Sequence, residues 1–118
     1  MAAPAEEHAA TSRKLLARAE ESVALDDLLQ ASEKGWGAAA HMVKAIAQRK
    51  GWRHDGHREL YLAVNRLAEV LGDRQIRVLF NSASALHSNF YENWMPKEML
   101  EDSLAQVREF LHKLEETP

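Results

Sequence analysis

The stretch FNSASALHSNFYENW, residues 80–94, places Asn81, Ser84, Ser88 and Tyr91 around a single imidazole, His87. Imidazole is the side chain that changes charge nearest neutral pH, so His87 is the natural candidate for giving or taking a proton. On a helix, Ser84 lies three residues before it and Tyr91 four residues after it, spacings at which side chains meet. A hydroxyl on either side would hold the ring in one tautomer, as a general acid or base requires. At about 100° per residue, His87 falls just inside the apolar arc of such a helix, and Tyr91, Ser84, Arg77, Ser88 and Asn81 follow around one flank. Acid–base chemistry on a phosphate also needs a positive group to stabilise the reacting oxygen. Arg77 is the arginine nearest to His87 on this helix, but it stands ten residues away, roughly 15 Å along the axis. The same pattern also fits a half-buried histidine satisfied by a neighbouring hydroxyl, so both readings stand at this point.

Other residues offer weaker chemistry. WRHDGH, residues 52–57, brings His54, Asp55 and His57 close in sequence, which reads either as a capped, basic loop or as part of a metal site. With no cysteine in the chain, a metal would need histidine and carboxylate ligands only. No metal and no cofactor is expected. His41 lies opposite the main apolar stripe of its helix and has no evident partner. From Lys44 to Arg58 five basic side chains, Arg53 and Arg58 among them, face one acid, Asp55. That region can meet an anion. Residues 98–116 carry six acids against two bases and cannot easily do so. The formal net charge of −3 gives no overall attraction for nucleic acid. Gly-rich phosphate loops, G-x-S-x-G and H-E-x-x-H are absent from the sequence, which sets aside the common kinase and hydrolase templates.

The elements that must position these groups are helices. Apolar residues recur at spacings of three and four, and no stretch alternates as a strand would. A first helix is expected from about Ala9 to Val23, with residues 1–10 largely a frayed tail. A second begins near Asp26 and stops at Gly51; its Ser32, Gly35 and Ala39 form a small-residue face beside Trp36. The third, HRELYLAVNRLAEVL, carries Leu60, Tyr61, Val64, Leu67 and Leu71 and ends at Gly72. The fourth is capped by Asp73 and presents Ile76, Leu79, Phe80, Ala83, Leu86, Phe90 and Trp94 inward. The fifth starts at Pro96 and continues the seam through Leu100, Leu104, Val107, Leu111 and Leu114. The fold class is therefore all-α, an antiparallel up-and-down bundle of four to five helices within a single domain over residues 1–118. No apolar run approaches the roughly 20 residues of a membrane span, and no secretory signal is visible, so a cytoplasmic location is expected.

Taken together, ASEKGWGAAAHMVKAIAQRKGW, HRELYLAVNRL and ALHSNFYENWMPKEMLEDSLAQVREFLHKL resemble the PaREP family of small helical proteins, which is similar in turn to the HEPN superfamily. The likeness runs over about residues 12 to 115 and is most specific in SEKGWGAAAH and LHSNFYENW. It implies a homodimer with a functional groove at or beside its interface, often accompanied by a minimal nucleotidyltransferase. HEPN ribonucleases place an arginine a few residues before a histidine on the penultimate helix. His87 matches the histidine, whereas the arginine position falls on Asn81, Ser82 or their uncharged neighbours. The resemblance thus implies a binding module for a nucleotide, RNA or a partner protein, its groove lined by Asn81, Ser84, Ser88, Tyr91, Arg53, Arg58 and Arg77. The alternative is a metal-independent RNA endonuclease of the toxin–antitoxin type centred on His87, with its arginine supplied by another element or subunit.

Overall fold

The computed structural model describes residues 4–117 and contains five helices: α1 (Ala5–Ala24), α2 (Leu28–Lys50), α3 (His57–Leu71), α4 (Gln75–Glu92) and α5 (Lys97–Glu115). Among the described residues there is no strand. Short connections join these helices into an all-α bundle, and α2, the longest helix, packs against all four others. No helix of the described residues is long and apolar enough to cross a membrane.

The helix ends follow local chemistry. Gly51 and Gly72 both take the left-handed conformation, with φ of 71° and 62°, and their backbone N–H groups close the last turns of α2 and α3. Asp27, one residue later than expected, caps α2 by accepting from the Gln30 N–H at 3.2 Å. Asp26 instead takes φ 62° and accepts from Lys97 at 2.7 Å, tying this turn to the start of α5. Asp73 accepts from the Gln75 N–H at 3.0 Å and from Lys113 Nζ at 2.8 Å, which holds its carboxyl below the usual carboxylate range. The frayed tail expected over residues 1–10 is not found from Pro4 onward, since Pro4 is the N-cap of α1. Residues 5–10 form the opening turns of α1, and Ala5 and Ala9 are buried; residues 1–3 lie outside the described residues.

The buried apolar side chains form one cluster that includes Ile46, Leu79, Phe80, Leu86, Leu100 and Phe110. The small-residue face of α2 is consumed inside this core. A Cβ added at Gly35 would lie 2.7 Å from Leu104 Cδ2 and 2.8 Å from Leu86 Cδ1, so α4 and α5 approach α2 where only hydrogen fits. That face is therefore not available to a second subunit. Four residues expected inside stand at the margin. Tyr61, Leu71 and Trp94 are exposed and Phe90 is half-buried. α4 ends at Glu92, and Asn93 turns left-handed, so a helical wheel extended to Trp94 no longer describes the chain. The turn after α4 folds back over Asn89 instead, and Asn89, not Phe90, is fully enclosed.

Candidate functional site

α3 and α4 lie antiparallel, and their seam is polar. His57, Tyr61 and Asn65 recur every fourth residue on α3 and meet His87, Ser84 and Arg77, in descending order, on α4. The His57 and His87 Nε2 atoms are 3.1 Å apart, so one imidazole donates and the other accepts. The Tyr61 and Ser84 hydroxyls share a hydrogen bond of 2.7 Å. Arg77 Nη1 donates to Asn65 Oδ1 at 3.3 Å, and Asn65 donates on to Glu69 at 2.9 Å. Three rungs thus cross the seam.

The histidine rung is built on an aromatic floor. Trp36, buried on α2, stacks beneath both imidazoles, with ring centroids 4.6 Å from His87 and 5.4 Å from His57. Tyr91 meets His87 edge-on at 5.3 Å, and Phe80 packs against both Trp36 and Tyr61. Burial, and then repulsion from His57, lower the pKa of His87 below the ordinary histidine value, which favours its neutral form. A neutral imidazole on an indole, joined to a second imidazole and flanked by two hydroxyls, can stack and hydrogen-bond a planar polar ligand.

The structure separates the residues that sequence spacing had grouped. His87, Ser84 and Tyr91 belong to this site, but neither hydroxyl of α4 orients His87. Its partner is His57, because Ser84 is committed to Tyr61. Ser88 faces the end of the bundle, where it accepts from Trp94 Nε1 at 3.2 Å and donates to Glu92 at 3.3 Å. Asn81 is exposed, beyond the flank that α3 covers. Arg77 lies at the far end of the seam. Arg53 and Arg58 line a hollow on another face of α3 with Trp52 and Arg66, and do not reach the histidine pair. His54, Asp55 and His57 diverge: His54 bonds Gln48 at 2.9 Å, Asp55 pairs with Arg53, and His57 faces His87. Among the described residues no group of three or more His, Asp or Glu side chains gathers to hold a metal ion.

Sequence reasoning missed His57, Tyr61 and Trp36 as site residues. The spacing of four through His57, Tyr61, Asn65 and Glu69 was a usable signal, obscured because Tyr61 also fits the apolar stripe. It also missed a partner for His41: its Nδ1 lies 3.1 Å from Nδ1 of His8, across α1 and α2. Burial and then Lys44 lower the pKa of both rings.

The family model described as the archaeal PaREP1/PaREP8 family matches residues 7–111. A crystal structure of a protein from Sulfolobus solfataricus superposes with a TM-score of 0.79 at 22% sequence identity, covering 88% of this chain and 92% of the other. At that identity the likeness concerns the fold alone. A comparison with curated proteins gives no match.

Proposed function

We propose that this chain, which belongs to the archaeal PaREP1/PaREP8 family, binds a nucleotide or single-stranded RNA at the α3–α4 seam and does not cut it. The observation that carries this reading is the pair of hydrogen-bonded imidazoles stacked on Trp36. Nucleobases stack on such rings and exchange hydrogen bonds with neutral imidazole and hydroxyl groups. Cleavage needs more. No guanidinium stands beside His87 to stabilise a developing phosphate charge, since Arg77 is engaged by Asn65 and Arg53 and Arg58 lie elsewhere. Two ring nitrogens 3.1 Å apart also leave no room for a phosphate between them. The reading includes the HEPN kinship and a two-fold homodimer. Support for the dimer comes from Tyr91, Trp94 and Met99, which are 73%, 46% and 51% exposed around the open end of the site. Light scattering should then give twice the monomer mass at micromolar concentration.

A second reading is favoured by one observation only. His57 supplies a second imidazole, so an acid and a base are both at hand if the pair opens around a scissile phosphate. One experiment separates the two. Short single-stranded RNAs are incubated in EDTA with the wild type, His57→Ala and His87→Ala, while the His87 C2–H and Trp36 indole signals are followed by NMR. Binding that moves both signals and leaves the RNA intact supports the first reading. Cleavage lost in either variant establishes the second, and unmoved signals with intact RNA overturn both.

A further inference from the structure

Trp52 stands just past the end of α2, half-buried against the core beside a face of α3 different from the seam. A hollow of about 330 Å³ opens there, lined by Trp52, Leu62, Arg53, Arg58, Arg66 and Glu59. Its charges are unbalanced. Arg53 is engaged by Asp55 at 3.4 Å and Glu59 at 3.6 Å, whereas Arg58 and Arg66 have no carboxylate partner among the described residues. The hollow between α1 and α5, of about 350 Å³, is the useful contrast: its Arg13 pairs with Glu115 and its Arg108 with Glu20. Here two guanidinium groups are left facing an open, partly apolar concavity.

The indole adds a second property. The Arg66 guanidinium lies over the Trp52 ring, 4.6 Å from its centroid, and Lys50 Nζ approaches to 5.8 Å. A guanidinium plane on an indole is a flat, cationic surface on which a planar ring stacks. Arg58 stands eight residues before Arg66, about 12 Å along the axis, so the hollow offers two separated attachment points and not a single anion clamp. A small anion can use only one of them.

We infer that this hollow binds a nucleoside phosphate, either free or as one unit of a single-stranded RNA, with the base against Trp52 and Arg66 and the phosphate toward Arg58. The inference takes from the seam reading only the class of ligand; its residues and its signals are separate. An RNA reaching both sites would cross α3 from Trp52 to the histidine pair.

The test follows the Trp52 indole N–H by NMR in the whole protein, assigned with Trp52→Phe, during titration with AMP, adenosine, inorganic phosphate and a short oligo(A) RNA. AMP or the RNA should move this signal, and Arg58→Gln and Arg66→Gln should each weaken the binding by about tenfold, the loss of one charge-assisted contact. Both arginines are exposed, and unchanged melting of the two variants shows that folding is intact. Response to the RNA but not AMP identifies a strand as the source; response to AMP but not the RNA identifies a free nucleotide. Inorganic phosphate that reproduces the whole shift, or a Trp52 signal that neither AMP nor RNA moves, overturns the inference. Movement of Trp52 with Trp36 and His87 unmoved would sink the seam reading and leave this one standing.

Discussion

Two polar side chains on α4, two residues apart, contrast in a way that separates structure from function. Asn89 is 1% exposed and has three of its four hydrogen-bonding positions filled by the protein. Its Oδ1 accepts from the Trp94 and Met95 N–H groups at 2.7 and 2.6 Å, and its Nδ2 donates to Ser32 Oγ at 2.8 Å. Ser32 in turn donates to the Leu28 carbonyl. His87 has one partner, His57, and a stacked indole, while the rim around it is open. Asn89 completes a turn that the chain cannot close alone. His87 keeps hydrogen-bonding capacity in reserve, which is what a ligand needs. Number of contacts does not distinguish a site from a scaffold; what remains unspent does.

The sharpest way to break this contrast is Asn89→Ala. It leaves two backbone N–H groups unpaired at the end of the bundle, and unmet buried donors cost about 1–3 kcal/mol each. A loss of about 3 kcal/mol and a fall of roughly 10 °C in Tm are expected by thermal melting. A shift of only a degree or two would mean that Asn89 is no more structural than His87. Ser32→Ala should cost less, about 1–2 kcal/mol, because one amide donor of Asn89 is orphaned while the turn survives. Chemical denaturation of the two variants checks the order.

Acid should touch the histidines and spare Asn89. His87, His8 and His41 all have folded pKa values below the unfolded one, with burial as the first cause. The folded state therefore favours the neutral rings, and the unfolded chain binds more protons once the pH drops below about 6.5. Stability should hold above that pH, decline as the pH falls below it, and level off beneath the folded values. Replacing His8 and His41 together by Gln should flatten this decline in urea titrations at pH 7 and pH 5. An equally steep decline in the variant would place the acid sensitivity elsewhere. The smallest effect on stability is expected of His87→Ala, about 1 kcal/mol or less from lost stacking on Trp36. If the seam binds RNA, the same change weakens binding by about tenfold or more, since each stacked or hydrogen-bonded group contributes on the order of 1–3 kcal/mol. A variant that binds normally but melts far earlier would reverse the assignment of the two residues.

Periodicity alone determined that the chain is helical, where Gly51 and Gly72 end α2 and α3, that Ile76, Leu79, Phe80, Ala83 and Leu86 face the core, and that His87 sits at the edge of it. Each is a local property: a spacing of three and four residues, or a backbone angle that glycine adopts cheaply. Resemblance in LHSNFYENW and SEKGWGAAAH pointed to the family over most of the chain. The identity of His87's partner was not local. It depends on the register of α3 against α4, which sets His57, 30 residues away, opposite His87 and takes Ser84 for Tyr61. Likewise only packing could assign Trp36 to the floor of the site, divert Arg53 and Arg58 to another face of α3, and enclose Asn89 beneath a turn that departs from the helical wheel. A hydrogen bond is decided within a few tenths of an ångström, and sequence spacing fixes such distances within one helix but not between two.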